Sequence, residues 1–477
     1  MSEAKTFTST TVLCRNSQGT SLTANVLRLG RYNVTFEVYN PYSILQLSEV
    51  LQGFQIRLND RIVYSGDAIV SGLVNTGVLL VCEVDLRDCW IDVDFLSDRE
   101  ETKPLKDQFV EFFDDWSSAN EVAPDFRLRT SDMQSFFVGL QRWMEQVDLG
   151  IRTTTSADWE NIENETLTDL APELLKRVQP IMEAFEKSAR TISPEDQAHH
   201  KFFFRRQIHP LVLCSPFTHR TFYKPLGYAG DYEMINMMLG DPFKGASLFA
   251  KSLNYAFLQT PPVKAHRNRI TYLTAQLNEA VEKANGQRIR VLNLGCGPAQ
   301  EIQNFLASSE NSNLCDFTLL DFNDETISFT AERLESLKNK HQREANIQII
   351  KRSVHQLLKQ ASAGDTDMKW ESYDLVYCAG LFDYLSQKVC CRLTDIFTRL
   401  AKPGGRTVVT NVAADHPSIA WMEYVLEWNL IYRDNDAMHG LVPQMPEPYL
   451  SKLSADETGV NLFLEIDKTG CLAPIAN

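Results

Sequence analysis

The chain has 477 residues, 44% of them hydrophobic and 23% charged, an ordinary globular composition long enough for two or three domains. Its net charge of -15 argues against nucleic acid, which demands a basic face, and against anionic membrane surfaces. The ten cysteines form no CxxC and no Cys/His cluster, so no metal site is expected, and no apolar run is long enough to span a bilayer. The start, MSEAKTFTST, has no apolar signal core. Cys296, Cys315 and Cys378 lie in or beside apolar runs and read as reduced core residues, which places the chain in the cytoplasm.

Residues 1–96 read as β. Tyr32, Val34, Phe36 and Val38 alternate with Asn33, Thr35 and Glu37, the signature of a half-buried strand. Phe54, Ile56 and Leu58 alternate likewise. Asn59-Asp60 then predicts a hairpin into Ile62-Val-Tyr64, and Val78–Cys82 follows a turn at Asn75-Thr-Gly77. Short strands with such punctuation predict a small barrel or sandwich. The segment Asn25-Val-Leu27-Arg-Leu-Gly30 resembles the Asp/Asn-x-Ser-x-x-Gly element of PilZ domains, small bacterial barrels that often bind a cyclic dinucleotide. Leu27 stands where serine belongs, and of the paired-arginine element only Arg15 is near. The resemblance is one of pattern, so cyclic dinucleotide binding is not expected. What it implies is a structural or docking module, toward a protein partner or a second copy of the chain.

Ser97–Pro104 is a charged linker closed by proline. Residues 105–280 read as helical. Ser131-Asp-Met-Gln134 predicts a capping-box start, with Phe136, Phe137, Leu140, Met144 and Val147 at helical spacing after it. Leu170, Leu174, Leu175, Val178, Ile181, Met182 and Phe185 form a second apolar stripe, and Ser193-Pro194 with Asp196 a further helix start. The region ends in Tyr223-Lys-Pro-Leu-Gly227-Tyr228-Ala-Gly230-Asp231-Tyr232-Glu-Met234, a density of glycine and tyrosine that suggests a lid as well as an inter-domain turn. Its candidate groups are Tyr228 and Asp231 for catalysis and Tyr232 for substrate.

Residues 281–477 alternate strands and helices, with strands at Ile289–Leu294, Phe317–Leu320, Ile347–Ile350, Leu375–Cys378 and Arg406–Thr410 and a late one at Val460–Ile466. That rhythm predicts an open, mostly parallel sheet with its ligand beyond the carboxyl ends of the strands. The first strand runs into Asn293-Leu-Gly295-Cys-Gly297, where residues lacking a Cβ allow backbone to approach a ligand beside a helix N-terminus. Asp321 ends the second strand and can accept both hydroxyls of a ribose. A nicotinamide enzyme would share these two features, but Gln300 stands where the third glycine of GxGxxG would fall.

With the strand Tyr373-Asp374-Leu-Val-Tyr-Cys378, the loop Gly380–Tyr384 and the turn Lys402-Pro-Gly-Gly405, the order resembles a class I S-adenosylmethionine-dependent methyltransferase with a Rossmann-like domain. By that resemblance Gly295 and Gly297 pass the methionine part of the cofactor and Asp321 holds the ribose. Phe322, Ser353 and Val354 face the adenine, and Asn293 and Cys378 border the site. Asn293 replaces the family's usual acid and Ser353 its usual aspartate.

The methyl acceptor would meet the loop Phe382-Asp383-Tyr384 and the segment from Asn411 to Arg433. There Tyr424, Trp428 and Tyr432 recur at helical spacing, so that Tyr424 and Trp428 could wall an apolar pocket, or be core. His416 is the candidate base or orienting donor and Arg433 the candidate cation for an acid. The segment Pro-Leu-Gly-Tyr-Ala-Gly-Asp-Tyr-Glu-Met, with Ala265-His-Arg-Asn-Arg269, is similar to bacterial methyltransferases of 3-hydroxypalmitic acid methyl ester biosynthesis. That implies a fatty-acid carboxylate as acceptor. Two alternatives stay open: another small-molecule or protein acceptor, and a non-catalytic regulator that binds S-adenosylmethionine.

Overall fold

The computed structural model describes residues 10–30, 32–38, 45–58, 61–75, 80–87, 106, 110, 121–153, 158–363, 370–443 and 449–469. The turns expected at Asn59-Asp60 and Asn75-Thr-Gly77 fall wholly or mostly outside these residues, and so does the linker Ser97–Pro104. The described chain gathers into two compact units, the first being 1–229, 241–258 and 418–429 and the second 230–240, 259–417 and 430–477.

The first unit opens with six antiparallel strands: β1 (Thr10–Arg15), β2 (Ser21–Leu29), β3 (Asn33–Val38), β4 (Val50–Leu58), β5 (Arg61–Asn75) and β6 (Leu80–Leu86). They close as β1-β2-β3-β6-β5-β4, β1 pairing with both β2 and β4. Closure removes free sheet edges. The alternation read in the sequence is the alternation observed: Val34, Phe36 and Val38 are buried, and Phe36 meets Phe54 with ring centroids 6.0 Å apart. Leu27 lies at a register shift between Val26 and Arg28 and is 53% exposed.

Helices follow: α1 (Pro124–Arg152), α2 (Trp159–Ala189), α3 (Gln197–Val212) and α4 (Pro216–Tyr223). The capping box expected at Ser131 is corrected. Helix α1 starts a full two turns earlier with Pro124 in its first turn, where a missing N–H costs nothing. Ser193 does accept from the Asp196 amide at 3.3 Å ahead of α3. In α2 the apolar stripe faces inward, with Leu174, Val178 and Phe185 buried.

Next come α5 (Tyr232–Leu239) in the second unit, α6 (Leu248–Leu258) in the first, and α7 (Pro261–Lys283) in the second. The remaining elements alternate: β7 (Ile289–Leu294), α8 (Gln300–Ser308), β8 (Cys315–Asp321), α9 (Asp324–His341), β9 (Asn346–Lys351), α10 (Val354–Ala363), β10 (Tyr373–Cys378), α11 (Gln387–Leu400), β11 (Ala401–Val412), α12 (Asn435–His439), β12 (Tyr449–Ala455) and β13 (Asn461–Lys468). The sheet order is β12-β13-β11-β10-β7-β8-β9. Its five central and distal strands run parallel, and β13 and β12 add antiparallel pairings at one edge. Strands β7, β8 and β9 step one way from the middle and β10 lies on the other side of β7. The order therefore reverses between β7 and β10, and the crevice at that switch point is where such sheets hold ligands. One core packs α7, α8 and α9 on one face of the sheet, through Leu273, Leu277, Phe305 and Leu334. The other packs α11, through Leu393 and Phe397.

Candidate functional site

The glycine turn grows directly from β7. Its amides pin it to the neighbouring strand, Gly295 N and Cys296 N both donating to Leu320 O at 2.8 and 3.1 Å. Gly295 and Gly297 sit at φ +69° and +52°, a left-handed backbone that favours glycine. Beneath the turn, Asn293 Nδ2 donates to Glu301 Oε1 at 3.2 Å, and Tyr377 donates its hydroxyl to the same oxygen at 2.7 Å. Asn293 therefore orders the start of α8 through Glu301, whose carboxyl is pushed up by burial. Thr330 closes the far side by donating to Gly297 O at 2.7 Å.

Asp321 ends β8 beside this turn. Its Oδ1 accepts from Phe322 N at 2.8 Å and Asn323 N at 3.1 Å, and its Oδ2 accepts from Gly297 N at 3.1 Å. Burial raises its pKa, opposed by those three amides. Phe322 next to it is half-buried. At the end of β9, Ser353 and Gln356 cap α10 reciprocally: Ser353 Oγ accepts from Gln356 N at 3.3 Å, and Ser353 N donates to Gln356 Oε1 at 2.9 Å. Ser353 and Val354 are both half-buried. Strand order thus brings Gly295, Gly297, Asp321 and the Ser353-Val354 corner to the carboxyl ends of adjacent strands.

On the opposite side of β7, β10 ends in buried Cys378 and runs into Gly380, φ +90°. Phe382 is buried in the sheet core, stacked against Phe397 at 6.3 Å, while Tyr384 is half-buried. Asp383 is buried, accepts from Val412 N at 2.7 Å, and is pushed up to about 6 by burial, opposed first by Arg269. Arg433 is wrapped by that same loop. It donates to Phe382 O at 2.8 Å, Leu385 O at 2.6 Å, Gln387 Oε1 at 2.8 Å and Asn411 Oδ1. Its guanidinium thus holds the backbone of the loop. His416, beyond β11, is buried with its ring 5.3 Å from that of Tyr432.

Within the second unit, α5 lies over the glycine turn. A Cβ on Gly297 would sit 3.7 Å from Ile235 Cδ1, an ordinary contact. Tyr232 packs its ring 4.6 Å from Phe329 and donates to Glu325 Oε1 at 2.8 Å. Asp231 caps α5 by accepting from Met234 N at 2.8 Å. Tyr228 is half-buried and belongs to the first unit.

The helix expected to align Tyr424, Trp428 and Tyr432 is corrected. Only a π-helical turn, Trp421–Val425, forms there, and the chain from Glu427 to Tyr432 is extended or irregular. Tyr424 and Trp428 fall in the first unit and Tyr432 in the second. Tyr424 sits among Phe126, Phe185 and Phe204, with ring centroids 5.7, 5.8 and 6.2 Å away.

Sequence reasoning passed over Glu301, Tyr377 and Arg269 as members of the site. Arg269 carried a readable signal, since it shares a helical face with the buried Ala265, Leu273 and Leu277 of α7, where a cation is out of place. Among the described residues, no group of three or more His, Cys, Asp or Glu could hold a metal ion, and no helix is long and apolar enough to cross a membrane.

Residues 285–447 match the family model described as a methyltransferase domain. No curated protein matches the chain. Solved structures resemble it at low identity. A possible exported protein of Bordetella parapertussis aligns at 15% identity over 66% of this chain and all of that one, with a TM-score of 0.41. Magnesium protoporphyrin IX methyltransferase of Synechocystis with bound SAH aligns at 10% over 45% and 87%, TM-score 0.33. The N-methyltransferase NodS of Bradyrhizobium japonicum with S-adenosylhomocysteine aligns at 14% over 50% and 97%, TM-score 0.30. The match to a methyltransferase domain thus covers residues 285–447, including the part of the second unit that carries the glycine turn, Asp321 and the loop after β10.

Proposed function

We propose that this protein O-methylates a small-molecule carboxylate such as a hydroxy fatty acid. The observation that supports the reading is the cradle at the switch point: two left-handed glycines in the turn after β7, one of them donating its amide to the carboxylate of Asp321 at the end of β8. The residues fit the cofactor. Gly295 and Gly297 leave room for close backbone approach, and Asp321 offers a buried carboxylate for ribose hydroxyls. Phe322 and Val354 supply apolar walls and Ser353 a hydroxyl for the adenine, with Asn293 and Cys378 bordering the methionine side.

Bound there, the cofactor supplies a methyl group made electrophilic by its sulfonium. This chain's residues then have three tasks: to align the acceptor, to exclude water and to hold charge where it is needed. A carboxylic acid is ionised at neutral pH, so no strong base is required. In this reading α5 acts as the lid, with Ile235 over Gly297 and Asp231 fixing the start of the helix. Tyr232 and Tyr384 line the acceptor side, His416 orients the acceptor, and Arg433 sets the shape of the loop Phe382–Leu385 that receives it. The barrel, whose Leu27 replaces the serine of the PilZ pattern, serves as a docking module, and the protein works in the cytoplasm.

Incubation with methyl-labelled cofactor and a panel of fatty acids including 3-hydroxypalmitate tests this. Base-labile label in the lipid fraction is expected, because esters hydrolyse. Base-stable label from other acceptors moves the reaction to nitrogen or ether oxygen. Tight cofactor binding without turnover on any pool makes the protein a sensor.

A further inference from the structure

Helix α7 brings a buried cation to the glycine turn. Arg269 is only 7% exposed. Among the described residues no carboxylate lies within ion-pair distance of it, and its only side-chain partner is the His266 ring, where Nη2 lies 3.1 Å from Nδ1 and 3.0 Å from Nε2 and donates to whichever of the two carries no proton. A guanidinium carries five N–H donors in a planar fork, so most of this one's capacity is unassigned. Burying a charge without a matched partner is costly, and folds retain such groups where a ligand completes them.

The position of the fork narrows the ligand. Nη1 and Nη2 each lie 3.0 Å from where a Cβ on Gly380 would stand. Glycine at 380 therefore makes room for the guanidinium, at φ +90°. The next residue, Leu381, lies 3.4 Å from the Cβ position of Gly295. The fork and the glycine turn thus flank the same short loop at the end of β10. Asp321, the ribose group, sits on the other side of β7, at the end of β8. A nucleoside held at Asp321 and threaded past Gly295 and Gly297 would present its amino-acid end toward β10.

We infer that Arg269 grips the α-carboxylate of the cofactor's methionine moiety, as a bidentate guanidinium–carboxylate pair, with His266 orienting the fork. The inference rests on the cofactor reading above and extends it to a residue outside the 285–447 match. The neighbourhood suits it. Burial holds the Arg269 guanidinium below its ordinary range, against the more distant pull of Asp383, Tyr384 and Glu301. Burial, then Arg269 and Arg267, keeps His266 well below its ordinary value, so its ring is neutral and can accept a hydrogen bond.

The test is calorimetric and needs no turnover. The full chain, Arg269→Gln and Arg269→Lys are titrated with S-adenosylhomocysteine and with its decarboxylated analogue, which lacks only the carboxylate. The unaltered protein is expected to prefer the carboxylated ligand by roughly 10- to 100-fold, the range of charge-assisted hydrogen bonds. In Arg269→Gln that preference falls below about threefold. Lysine cannot reproduce the fork, so Arg269→Lys keeps a preference several times smaller than that of arginine. If Arg269→Gln does not fold, Arg269→Lys decides, and an unchanged ratio there overturns the assignment. A folded Arg269→Gln that keeps the full ratio also overturns it. So does an unchanged ratio accompanied by weakened calorimetric binding of 3-hydroxypalmitate, which would give the fork to the acceptor. Binding of neither ligand by the unaltered protein removes the cofactor reading itself, and this inference with it.

Discussion

Asp321 has two duties at one carboxylate. Oδ2 receives the Gly297 amide and so ties the glycine turn on β7 to the end of β8, while Oδ1 receives Phe322 and Asn323 and shapes the entry to α9. Asp321→Ala is expected to weaken S-adenosylhomocysteine binding by about 1–3 kcal/mol, the value of charged hydrogen bonds, and to loosen the turn with it. Calorimetry with a parallel melting curve checks this, and unchanged affinity removes Asp321 from the site. Residues of this kind were legible. Gly295, Gly297 and Asp321 announce themselves because their constraint is local: a strand, a turn without Cβ atoms and a strand-end acid. Arg269 was not, because its meaning depends on Gly380 and Gly295, which approach it only in the folded sheet. Asn293, atypical for the position, proves to work through a longer relay, Glu301 accepting from both Asn293 and Tyr377.

Among the elements, the loop after β10 shows what periodicity cannot reveal. Its backbone carbonyls at Phe382 and Leu385 end on the guanidinium of Arg433, and Asn411 adds a side-chain acceptor from the end of β11. Arg433 therefore builds the loop from within, a role distinct from steering an acid by direct contact. Arg433→Met keeps much of the volume but leaves the two carbonyls without their donor. It is expected to lower stability by about 1–3 kcal/mol, read by urea denaturation of the full chain. Cofactor affinity should change little, since the groups proposed to hold it lie on other loops; an equal collapse of both would place Arg433 in the cofactor site. The strands from β7 to β11 and β13 were readable by their apolar runs, which in the central parallel strands β7, β8 and β10 reflect burial on both faces. Strand β12 escaped because its burial is partial, with Leu450 and Lys452 exposed at the sheet edge. The helix expected through Trp428 failed because spacing alone does not fix where a segment packs, and Glu427 adopts φ +48°.

At the scale of the whole molecule the chain crosses between its two units more than once, and Ser418–Asn429 leaves the sequence neighbourhood of β11 to join the first unit. No linear reading shows this, because the anchors come from distant elements: Glu186 accepts from Ala420 N at 2.9 Å and Trp421 N at 3.1 Å, and Ser48 donates to Asn429 O at 2.9 Å. His209 bonds Val425 O at 3.0 Å, and Lys224 donates to Leu426 O at 3.0 Å. Three of these anchors titrate; burial pushes the Glu186 carboxyl up, so its contribution grows in acid, whereas the two bases act the other way. Burial, then the Arg205 cation, lowers His209 from 6.5 to about 3. Burial, opposed by Glu427, lowers Lys224 from 10.5 to about 7. Both groups bind a proton less readily folded than unfolded. The His209 contribution is therefore intact above about pH 6.5 and erodes as pH falls from there toward 3, by up to about 1.4 kcal/mol per unit. The Lys224 contribution erodes as pH falls from 10.5 to 7 and changes no further in acid. In the second unit Asp383 has the opposite sign. Its folded pKa is raised from 3.8 to about 6, so its contribution is lost as pH rises through 6 and regained in acid. Acid should thus weaken the first unit before the second. Hydrogen exchange with peptide resolution at pH 7.5 and pH 4.5, corrected for intrinsic rates, is expected to show lost protection in peptides spanning 200–212 and 418–429 at the lower pH. Peptides spanning 373–385 should hold theirs. His209→Gln, which can still donate to Val425 O but does not titrate, should shrink the difference. Protection lost equally in both units, or first around Asp383, would show that these buried groups do not govern the acid response.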